Sequence, residues 1–203
     1  MSVDEMTAIQ ALERKAPTKP AIPGKPSRVE FEYIRHGTVS LIAFLDVAEG
    51  RIKMPYLNST RTEVDFVKAI TSLVDTDPDA SWTFVCDGLN THKSESLVKF
   101  VADRCCSLTD EELGVKGKSG ILQNMETRAE FLHDQNHRIR FIYTPKHSSW
   151  LNQIEIWFSI LAVDCFAGVV ISRWRNLLRV FCGLLSSTIL PHALFVGPIP
   201  GCH

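Results

Sequence analysis

The sequence predicts an α/β fold, a mixed five-stranded sheet flanked by helices, and three observations carry that prediction. Short runs of aromatic and β-branched residues alternate with helical stripes in the order strand, strand, strand, helix, strand, helix, strand, helix. A short run of aromatic and β-branched residues, Trp82 to Cys86, stops abruptly at Asp87-Gly88, as a buried strand does when it enters a strand-to-helix turn. The chain has 203 residues, 45% of them hydrophobic and 22% charged, which suits one medium domain with its own core.

Taken in order, Ser2 to Thr7 reads as the end of a strand cut short, which suggests residues missing upstream. Gln10 to Arg28 holds Pro17, Pro20, Pro23, Pro26 and Gly24, a composition read here as neither helix nor central strand. Arg14, Lys15, Lys19, Lys25 and Arg28 make it basic. Two readings stand for it: a solvated loop, or a strap that touches phosphates. Val29–Ile34, Val39–Val47 and Arg51–Leu57 then form an antiparallel meander, with turns at His36-Gly37 and Glu49-Gly50. Thr60 with Glu63 makes a capping box for a helix ending near Val74. The Trp82–Cys86 strand follows, then a helix from about Lys93 that carries Leu97, Val98, Val101 and Ala102 on one face.

Residues 107–136 are polar and interrupted by Gly114, Gly117 and Gly120, the signature of an insertion on the core. Thr109 to Leu113 is a short capped helix within it. Arg138–Tyr143 returns as a strand, and Ser149 caps a helix beginning at Trp150. On that helix Leu151, Ile154, Phe158 and Leu161 share a face about 80° wide, with Glu155 roughly 40° off it.

Net charge is −1, from 22 basic and 23 acidic residues, so bulk charge argues for no nucleic-acid role and local patches would have to supply one. The six cysteines contain no C-x-x-C pair and read as free thiols of a reducing compartment. The apolar C-terminal stretch carries Arg173, Arg175 and Arg179, which argues against a membrane span.

Three carboxylates stand out by placement. Asp4 lies on the opening strand, Asp87 at the end of the Trp82–Cys86 strand, and Glu155 on the last helix. Ligand sites in open α/β sheets form at such strand ends. If the opening strand neighbours the Asp87 strand, the two aspartates sit side by side and a glutamate on a covering helix closes the site. Carboxylates are oxygen ligands for hard cations such as Mg²⁺ or Mn²⁺. Two such ions about 4 Å apart activate a nucleophile and stabilise the leaving oxygen of phosphoryl transfer.

The segments VDEMTAIQALERKAP, FVCDGLNTHKS and YTPKHSSWLNQIEIWFSIL resemble the catalytic domain of DDE transposases, in the bacterial insertion-sequence group related to the mariner elements. With the meander between them they cover roughly residues 2 to 162. The resemblance implies a ribonuclease-H-like fold, metal-dependent cutting of transposon DNA ends and their joining to target DNA. It puts the catalytic and metal-binding carboxylates on Asp4, Asp87 and Glu155, with one or two Mg²⁺ (or Mn²⁺) ions, and gives Asn90 and His92 a supporting role. DNA contacts fall to Arg14, Lys15, Lys19, Lys25 and Arg28 in the strap and to Arg138, Arg140 and Lys146 near the site. The implied partners are transposon and target DNA and a second transposase subunit, with no membrane, in a bacterial cytoplasm near the nucleoid. The interval from Asp87 to Glu155 is longer than in the mariner elements proper, because of residues 107–136.

The ends depart from the family. Such transposases carry helix-turn-helix modules before the first aspartate, where this sequence has three residues. Past Ala162 the matching strings disappear from this reading frame. Back-translated and read from the third base of each codon, Leu194 to Gly201 permits Phe, Arg, Trp, Thr, Tyr, Thr, Gly, a string typical of the family's end. A frameshift near Ala162-Val163 therefore makes residues 1–162 the catalytic domain and 163–203 an out-of-frame tail, with a helix around Leu177–Leu185 and an irregular last dozen residues. Two functional alternatives remain: an inactive relic that acts as a DNA-binding or interfering fragment, and a ribonuclease-H-like host nuclease, against which W-L-N-Q-I-E-I-W-F speaks.

Overall fold

The computed structural model describes residues 1–166 together with Phe195–Val196, and side chains through Ala162 except that of Ala11. A mixed sheet has the order β5-β4-β1-β2-β3-β6, built from β1 (Ser2–Arg14), β2 (Tyr33–Asp46), β3 (Arg51–Asn58), β4 (Trp82–Cys86), β5 (Ile139–Tyr143) and β6 (Phe195–Val196). β1, β2 and β3 are antiparallel to one another, whereas β4 runs parallel to both β1 and β5. Its helices are α1 (Glu63–Val74), α2 (Glu95–Cys105), α3 (Asp110–Leu113), α4 (Met125–His133) and α5 (Ile154–Phe166).

The sheet has six strands rather than the expected five, because β6 pairs in parallel with the outer edge of β3 through Tyr56/Phe195 and Leu57/Val196. Phe and Val are strong strand formers, and an open edge offers them a full row of backbone partners. The last dozen residues are therefore not irregular throughout. The expected helix around Leu177–Leu185 lies outside the described residues.

The antiparallel part differs from the meander expected above. Val29–Ile34 and Val39–Val47 are not two strands joined at His36-Gly37. Tyr33 to Asp46 runs as one strand, with Gly37 at φ 123°, and pairs along the whole of β1. Gln10 to Arg14, expected inside the proline-rich strap, belongs to β1, since the first proline comes only at Pro17. Two register shifts, between Met6 and Ile9 and between Gln10 and Leu12, let β1 bend past Ala8, whose φ is 59°. Beyond Val39 the hairpin leaves the core: Tyr33 to Thr38 are exposed, and so is almost all of residues 17–29. Backbone pairs Lys19/Arg28 and Ile22/Lys25 close its tip around Gly24, at φ 79°. The basic strap is thus a projecting arm.

Two apolar layers cover the two faces. On one, Val3, Ile42, Phe44 and Phe84 pack with Phe66, Ile70, Leu97, Val98, Val101 and Leu132 from α1, α2 and α4. On the other, Ile9, Leu41, Ala43 and Ile52 meet Ile154, Phe158 and Leu161 of α5. Leu122 and Leu132 join the first layer, so residues 107–136 add to the core and carry a second helix, α4, held by an Asn124 capping box. The cap of α1 sits two residues later than expected. Thr62 and Asp65 form the box, and Thr60 donates to Asp65 at 2.7 Å instead. Among the described residues no helix is long and apolar enough to cross a membrane.

Candidate metal centre

The parallel pairing of β1 with β4 sets Ser2 opposite Val85. Two residues further along both strands, Asp4 and Asp87 come out side by side at the carboxyl end of β4. Atoms of Asp4, Asp87 and His92 lie within 4.8 Å of one another. Among the described residues, Glu155 does not enter that group.

Asp87 ends its strand in an Asx turn, its Oδ1 accepting from the Leu89 amide at 3.1 Å. The same oxygen lies 2.7 Å from Nδ1 of His92 as an ion pair, and that nitrogen also donates to the Asp87 main-chain carbonyl at 3.2 Å. Asp4 Oδ1 accepts from the Glu5 amide at 2.8 Å. In each aspartate one oxygen is fixed by the protein, and the other has no partner among the described residues. That leaves one oxygen on each free to bind a cation. The donor set fits a hard divalent ion.

The electrostatics agree. Burial, with the nearby Asp87 and Glu5 charges adding to it, pushes the Asp4 carboxyl up to about 7 against its backbone hydrogen bond and His92. The positive charge of His92 offsets this only in part at Asp4. Burial also works to raise Asp87, but the hydrogen bond and charge of His92, the Leu89 amide and Lys93 outweigh it and hold Asp87 below the usual range. His92 goes up to about 10. Burial opposes its charge, and its contacts with Asp87 and Glu5 overcome that.

His92 sits in a 3₁₀ turn, Thr91–Lys93, and is fully buried. Its ring lies against Phe66 of α1, with centroids 4.4 Å apart. Its carbonyl accepts from the Tyr143 hydroxyl at 2.8 Å, and Lys93 Nζ lies 4.4 Å from that tyrosine's ring centre. Asn90, expected beside it, is exposed and lines a cleft of about 420 Å³ with Glu5, Arg61 and Thr91. Asp87 opens on a neighbouring cleft of about 450 Å³, lined also by Lys93, Lys146, His147 and Ser149.

The helix expected from Trp150 starts four residues later. Ser149–Leu151 is a 3₁₀ turn, and α5 begins at Ile154. Asn152 is the reason. It is fully buried, its amide donates to the Val3 carbonyl at 2.9 Å, and its Oδ1 accepts from the Ser2 hydroxyl. Ser2 Oγ in turn accepts from the Ile154 amide at 3.1 Å, capping α5 from another element. Strand alternation puts Asp4 on the same face as Ser2, the face α5 covers. Glu155 is half-buried in the first turn of that helix, so it stands on the Asp4 side of the sheet.

The basic residues are dispersed. Lys146 lines the Asp87 cleft. Arg138 and Arg140 lie at the other end of β5, where Arg140 donates to Thr83 Oγ1 at 2.9 Å and Arg138 to the Ala80 carbonyl. Of the arm residues, Lys15 pairs with Glu32 and Arg14 donates to Thr18, while Lys19, Lys25 and Arg28 are exposed.

Sequence reasoning missed Glu5, Ser2 and Asn152. Glu5 follows Asp4 directly and alternation points it to the opposite face, where its side chain is 3% exposed, 3.3 Å from His92 Nε2. A buried-face glutamate inside a strand was the available signal.

No curated protein and no solved structure matches the chain. The sequence model of the family described as DDE superfamily endonuclease matches residues 1–177, past Ala162. With the paired aspartates at the end of β4 and a match over most of its length, the chain belongs to the DDE superfamily endonuclease family.

Proposed function

We propose that the chain is the catalytic part of a bacterial, mariner-like insertion-sequence transposase. It uses Asp4, Asp87 and Glu155 to cut transposon DNA ends and join them to target DNA. The observation that carries this reading is the side-by-side emergence of Asp4 and Asp87, each with one oxygen fixed and one available. Mg²⁺ or Mn²⁺, bound as one or two ions, would polarise the scissile phosphate and supply an activated hydroxyl nucleophile. Asp4 and Asp87 would hold it between the strands. Glu155 would complete the ligand set from α5, on the same side of the sheet as Asp4.

DNA would lie across the open end of β4, with Lys146 beside the Asp87 cleft and Lys19, Lys25 and Arg28 on the arm contacting phosphates. Such contacts position DNA without reading its sequence. The remaining assignments rest on the resemblance: a transposase homodimer, a nucleoid location, a domain ending at 162 and an out-of-frame tail at 163–203. An inactive relic that binds DNA or interferes with intact transposase is the alternative.

The deciding experiment is nicking and strand transfer on end-containing DNA with Mg²⁺ or Mn²⁺, comparing the chain with Asp87→Ala and Glu155→Gln. Metal-dependent cutting lost in both variants is the expected result. Binding of DNA and metal without cutting selects the relic.

A further inference from the structure

Glu5 is buried next to the metal centre but on the wrong face of β1 to share a cation with Asp4. We propose that Glu5 is a positioning residue, which holds the His92 ring from behind so that the ring presents Nδ1 to Asp87 Oδ1 and leaves Asp87 Oδ2 turned toward the cation. The proposal rests on the reading of Asp4 and Asp87 as cation ligands.

A carboxylate can only accept, so Nε2 of His92 must carry a hydrogen to face Glu5 at 3.3 Å. That contact is an ion pair without the alignment of a hydrogen bond. Glu5 therefore acts on the ring through charge. At the opposite nitrogen the contact with Asp87 is short, 2.7 Å. Phe66 packs on the ring and closes its third side. With both nitrogens facing carboxylates, His92 has no lone pair to offer a metal. It serves as the link between Glu5 and Asp87. Groups behind a ligand tune affinity in this way, and their loss typically weakens metal binding about 10–100-fold.

The test uses the whole chain with Glu5→Gln and Glu5→Ala. Histidine ring nitrogens are followed by ¹⁵N NMR without metal, Mn²⁺ affinity by calorimetry, and folding by Tm. Glutamine keeps the shape of Glu5 but not its charge, so Glu5→Gln should shift the Nε2 resonance and weaken Mn²⁺ in the same direction as Glu5→Ala. Glu5→Ala should shift the Nε2 resonance and weaken Mn²⁺ about 10-fold or more in a folded chain. Unchanged resonances in Glu5→Ala would overturn the proposal. Equal loss of Mn²⁺ in both variants, with the ring undisturbed, would instead make Glu5 a direct ligand and also overturn it. If the wild-type chain binds no Mn²⁺, the cation reading fails, and the ring resonances still decide whether Glu5 holds His92.

Discussion

The side-chain amide of Asn152 donates to the main-chain carbonyl of Val3 at 2.9 Å, joining residues 149 positions apart. Val3 is followed by Asp4, and Asn152 stands three residues before Glu155. One buried side chain thus fixes the spacing between the strand that carries the first aspartate and the helix that carries the glutamate.

Asn152→Ala should therefore act on stability and on metal binding together. It takes the side-chain donor from the buried Val3 carbonyl and the acceptor from the Ser2 hydroxyl proton, at a cost of about 1–3 kcal/mol for each group. Urea unfolding of the two proteins measures it. A loss under 0.5 kcal/mol would show that water or another side chain replaces the amide.

The Asp4 carboxyl gives a pH signature in metal-free protein. Its folded value, about 7, lies above its ordinary 3.8. Its contribution to stability is thus fully present below 3.8 and is lost as pH rises through 7. A bound divalent cation offsets that loss, so the Tm gain from Mg²⁺ should be small at pH 5 and large at pH 8. Melting curves across that range with and without Mg²⁺ check it; a gain independent of pH would separate the cation from Asp4.

His92 has the opposite chemistry and the same sign. Raised from 6.5 to about 10, it stabilises the fold fully below 6.5 and loses that contribution as pH rises through 10. His92→Ala leaves Glu5 and Asp87 without their shared partner and should cost about 3 kcal/mol near neutral pH. The gap to wild type should narrow by pH 10 in denaturation experiments, and a constant gap would point to lost ring packing alone.

Asp65 anchors the start of α1 with four hydrogen bonds, from Asn58, Thr60 and the Thr62 amide and hydroxyl. Burial raises its carboxyl, but these bonds outweigh burial and hold it below 3.8. The stability it gives is present above 3.8 and disappears as pH falls further. Asp65→Ala should cost about 2 kcal/mol at pH 7. Equal stability of the two proteins at pH 7 would show that the cap is redundant.

On DNA, changing Lys19, Lys25 and Arg28 together to alanine should weaken binding equally on all sequences. The slope of log K against log salt should become shallower by about 1–3. Filter binding from 50 to 200 mM salt (about the range where such slopes are read) measures it. An unchanged slope would take the arm off the DNA path.

Much of this is legible in the amino-acid sequence. The Trp82–Cys86 strand and its arrest at Asp87 follow from short-range composition and from the preference of sites for strand ends, whereas its pairing with the opening strand was only one possibility until the structure gave it. The face of α2 with Leu97, Val98, Val101 and Ala102 is buried as its spacing indicates. What escaped was set by contacts distant in sequence. The β1–β2 hairpin overrides the His36-Gly37 turn signal because β1 pairs with β2 on either side of it, and a bulge absorbs the two residues. The true start of α5 depends on Ser2, and no local pattern around Ser149 records that. Glu5 went unnoticed because its partner, His92, comes from another element.

The parallel pairing of Ser2 with Val85 ties the aspartate pair to one register of β1. Side chains alternate along a strand, so a slip of β1 by one residue would turn Asp4 to the α1 face and bring Glu5 to the α5 face. The misthreaded chain would keep an acidic residue at the strand end but lose the flush pair of aspartates. Metal capture would then reward the correct threading alone, and a chelator added during refolding would let misthreaded chains persist.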